Sequence, residues 1–201
     1  MTVRQSAGAI VLAGGRGSRL SRDKGCLLVG GAPIVARVVA AATAVCERVI
    51  VVGDAPLPEG LGVTAVADAT PGGGPVQALG TGLRALGTPL CVLLAWDMPF
   101  VSAELLGHLV ANADAFEAVV PRIGGRPQPL CAVYARACLP LIEALDEGRN
   151  VAMRDFVARL RVRWVEEDEV RPFGDPARLF LNVNTDEDLA RARAMTEAEE
   201  G

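Results

Sequence analysis

The sequence predicts an α/β fold, a three-layer sandwich with a mostly parallel, Rossmann-like sheet covered by helices on both faces. Three observations carry this expectation. Short runs rich in Val, Ile and Leu recur along the chain, and each ends at Gly, Asp or Pro. Each run is followed by a stretch with helical spacing of its apolar residues. The runs are continuously apolar instead of alternating, as strands buried on both faces are. Alternation of strand and helix lays successive strands side by side in parallel.

Taken in order, the predicted strands are Ser6–Leu12, Arg48–Val52, Val63–Ala67, Leu90–Ala95, Ala118–Pro121, Pro129–Tyr134, Arg163–Val165 and Leu179–Val183. Between them the periodicity predicts helices at Ile34–Cys46, Val76–Leu86, Ala103–Asn112, Ala135–Leu145, Val151–Leu160 and Asp186–Thr196. Ser102, Asn150 and Thr185 stand just before helices, where a side-chain oxygen can accept from free amides. The tail Thr196–Gly201 is short and acidic and is expected to fray. No internal repeat or long linker divides the chain, so residues 1–201 read as a single domain. With 201 residues, 51% of them apolar, such a domain can bury a core unaided.

Composition narrows the function. The net charge is −4, and arginines are scattered among Asp and Glu without the dense basic stripe that nucleic-acid binding requires. No nucleic-acid partner is expected. The five cysteines, Cys26, Cys46, Cys91, Cys131 and Cys138, are odd in number, lie mostly in apolar runs and form no CxxC pair. They read as buried thiols in a reducing compartment. The apolar stretch Ala7–Ala13 follows Arg4 but is too short for a signal peptide and runs into Gly14, Gly15 and Arg16. No segment approaches the roughly eighteen apolar residues of a membrane helix. A soluble, cytoplasmic protein with no membrane partner is expected.

In such a sheet, ligands bind beyond the carboxyl ends of the strands, where strand order reverses. The segments that would meet there are Leu12–Gly25, Gly53 with Asp54, Asp68–Gly82, Trp96–Phe100 and Asn182–Thr185. The first reads LAGGRGSRLSRDKG. Its glycines let backbone amides approach a phosphate chain, and Arg16, Arg19, Arg22 and Lys24 supply positive charge. It is neither standard glycine loop: GxxxxGK[ST] is absent, and GxGxxG lacks its last glycine because Leu20 occupies that place. Asp97 follows the strand Leu90–Ala95, so its carboxylate should emerge at the mouth of the sheet. A hard oxygen donor there suits magnesium, which takes one or two carboxylates and completes its shell with phosphate oxygens and water.

The joint pattern LAGGRGSRL and DKGCLL, then Asp68 with GGGPVQAL at Gly72–Leu79, WDMPFVS at Trp96–Ser102, PLCAVY at Pro129–Tyr134 and NVNTDEDL at Asn182–Leu189, resembles the molybdenum cofactor guanylyltransferase family. That family lies within the nucleotidyltransferases that make nucleotide sugars and related conjugates, and the resemblance spans nearly the whole chain. It implies transfer of GMP from GTP to the terminal phosphate of molybdopterin, with Mg2+, giving molybdopterin guanine dinucleotide and pyrophosphate. By the same resemblance Arg19, Lys24 and Asp97 are catalytic, with Asp97 the metal ligand. Leu12, Ala13, Gly14, Gly15, Lys24, Asp68 and Asp97 bind the nucleotide. A carboxylate at Asp68 can accept the N1 and exocyclic amino hydrogens of guanine. Arg149, Asn182 and Asn184 bind the acceptor, with Arg126 and Arg154 placed more loosely beside them. Transient contact with other molybdenum cofactor assembly proteins is implied as well.

The chain departs from the family pattern in three places. Trp96 stands where a small residue is expected, which would alter base stacking or pocket shape. Gln77 and Leu79 change the turn after Gly74 and Pro75, and Asp54 stands near a nucleotide-binding position where an amide is expected. A sister family that uses CTP on the same acceptor, or another nucleotidyltransferase of the superfamily, is the alternative. A dinucleotide oxidoreductase would need the missing glycine, and a catalytically dead binding protein would lack Asp97 or Lys24. The attacking phosphate of the acceptor, with a second pKa of roughly 6, needs no base to ionise it. The single histidine, His108, accordingly reads as a surface or packing residue.

Overall fold

The computed structural model describes residues 6–14, 24–145 and 150–200, the last three of these by backbone alone. In chain order the elements are β1 (Ala7–Ala13), a 3-10 turn at Lys24–Cys26, β2 (Leu28–Val29), β3 (Ala32–Pro33), α1 (Ile34–Thr43), β4 (Arg48–Gly53), β5 (Thr64–Val66) and α2 (Gly74–Leu86). Then come β6 (Leu90–Ala95), α3 (Ala103–Ala111), β7 (Ala118–Ile123), β8 (Arg126–Pro127), β9 (Cys131–Ala135) and α4 (Leu139–Glu143). The chain ends with α5 (Met153–Val157), β10 (Val162–Glu166), α6 (Glu167–Val170), α7 (Pro176–Leu179) and α8 (Asp186–Glu200).

The main sheet runs β10-β7-β9-β6-β1-β4-β5, with β8 hairpinned onto β7. Neighbours are parallel except at β9, which is antiparallel to β6 and β7, and at the β8 hairpin. β1 pairs on one side with β4, from Gly8 opposite Arg48 to Ala13 opposite Gly53. On its other side it pairs with β6, from Ala7 opposite Leu90 to Leu12 opposite Ala95. The chain thus leaves β1 in one direction and returns, through α2, on the other. That reversal opens a crevice at the carboxyl ends of β1 and β6, the place where open α/β sheets bind ligands.

Alternate residues of β1 feed two cores. Ala9 and Val11 pack with Val35 and Val38 of α1 and Leu105 and Leu109 of α3. Ile10 faces the opposite layer, with Leu79 and Leu83 of α2, Ile142 of α4 and Phe156 of α5. Burial on both faces is why the strand reads as one apolar run. A satellite core of Val29, Ile34, Phe100, Leu181, Val183, Leu189 and Ala192 docks the β2-β3 hairpin and α8 beside the crevice.

The α/β sandwich agrees with expectation, and several elements do not. Leu179–Val183 is not a strand: Pro176 opens α7 under an Asp175 cap, and the residues after α7 join no ladder, with Leu181 and Val183 entering the satellite core. Its apolar run reflects burial without a ladder. β5 was expected to be buried on both faces, but it is the edge strand, and Thr64 and Ala65 are exposed. The helix expected at Ala135–Leu145 divides into the last residue of β9, a 3-10 turn and short α4, because Pro140 fits only the first turn of an α-helix. α8 continues to Glu200, with Thr196 buried and its hydroxyl bonded to Ala192 O, so the tail expected to fray from Thr196 is helical. Ser102 caps α3, its Oγ accepting from Leu105 N at 3.2 Å. Asn150 caps nothing: Ala152 occupies the N-cap of α5.

Thr185 does cap α8, and Asp188 reciprocates. Thr185 Oγ1 accepts from Asp188 N at 3.1 Å, and Asp188 Oδ2 accepts from Asn184 N at 3.0 Å and Thr185 N at 2.9 Å. Burial works to raise the Asp188 pKa, but these bonds and the charge of Arg191 outweigh it and hold the carboxyl below its ordinary value. A carboxyl depressed in this way stabilises the fold above its unfolded pKa of about 3.9 and loses that contribution as pH falls through the folded value. Asp188→Ala should therefore unfold in urea with about 1 kcal/mol less stability at neutral pH, the gap closing in acid. A gap that does not change with pH would show that the charge plays no part.

Candidate active site

β6 delivers Asp97. All six residues of the strand are buried, and the bond from Trp96 N to Leu12 O at 3.2 Å extends its pairing with β1 one step beyond Ala95. The next main-chain carbonyl, Asp97 O, accepts from Val183 N at 2.9 Å. Asp97 is thereby tied to both flanking segments, and it is 8% exposed. Its Oδ2 lies 2.6 Å from Lys24 Nζ, while Oδ1 is buried and has no hydrogen-bond partner among the described residues. Lys24 is 7% exposed, and its ammonium also donates to Asn184 Oδ1 at 3.0 Å. Leaving a carboxylate oxygen buried and unbonded is costly, so such an atom marks a place where a cation or donor belongs.

Lys24 comes to this point on a braced segment. Leu27 N bonds Lys24 O, and Ile34 N bonds Leu27 O, which closes the 3-10 turn onto the start of α1. Arg37 of α1 donates from Nε to Pro99 O at 2.9 Å and from Nη1 to Val29 O at 3.4 Å. One guanidinium thus bridges the segment after Lys24 and the segment after Asp97. It also stacks on Phe100, with Cζ 5.8 Å from the ring centroid.

The residues expected to bind the nucleotide lie at the end of β1 and before the turn into α2. Leu12 and Ala13 finish β1 with Ala13 buried, and Gly14 turns away exposed, with Asp54 Oδ1 facing it. Asp68, half-buried after β5, accepts through Oδ1 from Thr70 N at 3.1 Å and Thr81 Oγ1 at 3.2 Å. Those bonds occupy one oxygen, so the grip expected from the whole carboxylate narrows to Oδ2. Thr81, on α2, was missed in the sequence, where nothing but helical spacing surrounds it. Asn150 lies against Gly74, where a Cβ would fall 2.1 Å from its Oδ1, and so borders the amino end of α2.

The expected site residues divide accordingly. Lys24, Asp97 and Asn184 meet, and Leu12–Gly14 border them through the bond to Trp96. Asn184, expected on the acceptor side, accepts from the Lys24 ammonium through Oδ1 at 3.0 Å. Asn182 instead donates to Phe180 O at 3.0 Å. Gly15, Arg16, Arg19, Arg22 and Arg149 lie outside the described residues. Arg126 is exposed on the β7-β8 hairpin, and Arg154 is exposed and bonded to Asp155. Trp96 does not offer a stacking face for a base: it is 3% exposed, within the core shared by α1 and α3. His108 packs on Phe173, ring centroids 4.9 Å apart, on α3. Among the described residues no three His, Cys, Asp or Glu gather as a metal cluster.

Residues 9–166 match the model of the MobA-like NTP transferase domain. A probable molybdenum cofactor guanylyltransferase of Pelotomaculum thermopropionicum is 35% identical over 194 residues, 95% of this chain and 94% of that one. A molybdenum cofactor guanylyltransferase of Desulfosudis oleivorans is 32% identical over 194 residues, covering 94% of this chain and 95% of the relative. Among solved structures, molybdopterin-guanine dinucleotide biosynthesis protein A of Archaeoglobus fulgidus superposes with a TM-score of 0.78 at 26% identity, over 95% of this chain and 99% of the other. With the crevice, its lysine and its carboxylate in place, and with relatives matched nearly end to end, this chain belongs to the MobA-like NTP transferase family.

Proposed function

We propose that the protein transfers GMP from GTP to the terminal phosphate of molybdopterin, with magnesium, and releases pyrophosphate. The observation that carries the reading is the buried Lys24–Asp97 pair at the strand-order reversal, with Asp97 Oδ1 unbonded among the described residues. The names borne by relatives of 32% to 35% identity support the choice of substrates. Five cysteines, four of them buried, support a reducing compartment, the cytoplasm.

An oxygen of the acceptor phosphate attacks the α-phosphorus of GTP, a new P–O–P bridge forms, and the bond to the β-phosphate breaks. Asp97 is the residue that would hold magnesium, whose part is to neutralise the phosphates and orient them for in-line displacement. Lys24 has the compact charge to hold the triphosphate as it gains charge on the leaving side. Asn184, bonded to Lys24, aims that ammonium. Arg19 is assigned a matching role by resemblance to the family. Asp68 Oδ2 accepts from guanine, with Thr70 and Thr81 fixing the carboxylate's orientation. The acceptor enters past Asn182 and Arg149.

With magnesium and molybdopterin, pyrophosphate release should show a specificity constant at least about a hundredfold higher for GTP than for CTP, since a hydrogen-bonded base site is left unpaired by the wrong base; equal constants would favour the cytidylyl alternative. Asp97→Asn should cut turnover by about a hundredfold or more while the protein stays folded. Lys24→Met should do likewise and also weaken GTP binding in calorimetry, because the ground-state triphosphate already feels that charge. Finally, the acceptor phosphate is mostly a dianion at neutral pH, so His108→Ala should stay within a few-fold of the parent. The rate should rise with pH to a plateau above roughly 7. A large loss at His108 would demand a protein base.

A further inference from the structure

Trp96 and Asp97 are neighbours at the end of β6, Lys24 and Gly25 are neighbours in the 3-10 turn, and the two pairs meet side by side. Asp97 takes the Lys24 ammonium at 2.6 Å. Beside it, the six-membered ring of Trp96 lies so close to Gly25 that a Cβ there would fall 2.3 Å from Cε3 and 2.5 Å from Cζ3. No residue other than glycine fits under that ring as it stands. The ring itself is anchored: Trp96 N is bonded to Leu12 O, and the side chain is buried within the core beneath α1 and α3. The contact with Gly25 is made by the flat face and volume of this ring.

An ammonium on a four-carbon stem can satisfy a carboxylate from many backbone positions, so the ion pair does not fix where Lys24 stands. The Gly25–Trp96 contact does, because it sets the backbone from which the stem projects. We propose that Trp96 is a positioning residue for Lys24, seating the Lys24–Gly25 turn at the height from which the ammonium serves both Asp97 and the incoming phosphates. The inference rests on the reading of Lys24 and Asp97 as the reaction centre. It also accounts for the bulky residue at a position where the family pattern led us to expect a small one: here Trp96 is matched by the absence of a side chain at Gly25.

The test is a cycle of Gly25→Ala, Trp96→Leu and the double variant, with Trp96→Phe as the conservative replacement. Gly25→Ala and Trp96→Leu should each lower kcat by about ten- to a hundredfold, the scale of a misplaced reacting group, and by more than KM for GTP rises. Trp96→Phe keeps a six-membered ring over Gly25 and should stay within a few-fold of the parent. In the double variant the smaller side chain makes room for the new methyl, so kcat should recover at least about fivefold over Gly25→Ala, the non-additivity expected of residues in contact. Amide exchange at Leu27 and Ile34, measured without substrates, should quicken in both single variants and not in Trp96→Phe. Parental kcat in the single variants, losses that multiply in the double, or unchanged exchange at these amides would each overturn the inference. If GTP and molybdopterin are not the substrates, the parent itself releases no pyrophosphate, and the exchange measurement still decides.

Discussion

Lys24 and Asp97 lie 73 positions apart in the chain, and their contact at 2.6 Å constrains everything around it. Both side chains are about nine-tenths buried. Taking each ion out of water costs several kcal/mol, and losing one partner of such a pair typically costs about 3–5 kcal/mol because the other charge is stranded. Apolar residues of similar volume would be as stable or more so. A fold that keeps the ions at the mouth of its sheet, with one carboxylate oxygen unbonded among the described residues, is therefore shaped by what the site must bind. Stability alone would favour a different pair.

The long-range structure can be read as the means of holding that pair. The β1-β6 register, with Leu12 opposite Ala95, carries Asp97 two residues beyond the last pair, to the mouth of the sheet, and the Val183 amide fixes its carbonyl from the far end of the chain. Arg37 ties the Lys24 segment to Pro99, and Asn184 completes the ammonium's shell from 160 residues away. The reciprocal cap of Thr185 and Asp188 holds the Asn184 amide as α8 begins. The satellite core then docks α8 and the β2-β3 hairpin together. The carboxyl-terminal segment is thus part of the crevice, although it adds no strand to the sheet.

Much of this was legible in the sequence, and what was not has particular physical reasons. β1, β4 and β6 are unbroken apolar runs, and α1, α2 and α3 carry clear helical spacing, so their existence and order could be read directly. Leu179–Val183 shows the limit: an apolar run reports burial, and it is the same whether the segment joins a ladder or threads a satellite core. The Gly124–Gly125 turn and the short β8 passed unnoticed because the strand before them ends its apolar stretch at Pro121. At the site, residue types were enough to single out Lys24 and Asp97 with the family resemblance beside them. Their partners were not visible, since Asn184, Thr81 and Gly25 owe their roles to contacts between distant segments. Trp96 looked like a change to the base pocket, yet its side chain turns to the opposite layer, a direction set by the alternation of β6.

Within the crevice Lys24 and Asp97 answer each other's charge, and a triphosphate arriving there is strongly anionic. Binding must redistribute the contacts of Lys24, whose ammonium is now shared between Asp97 and Asn184. A lysine is suited to this because its stem can re-aim a point charge at little cost, whereas the planar fork of an arginine would commit to one carboxylate geometry. That freedom is useful only if the backbone beneath it does not drift. The crevice assigns the two requirements to neighbouring groups: re-aiming to the side chain of Lys24, and a fixed seat to the Gly25 backbone pressed on Trp96, with Arg37 bracing the residues that follow.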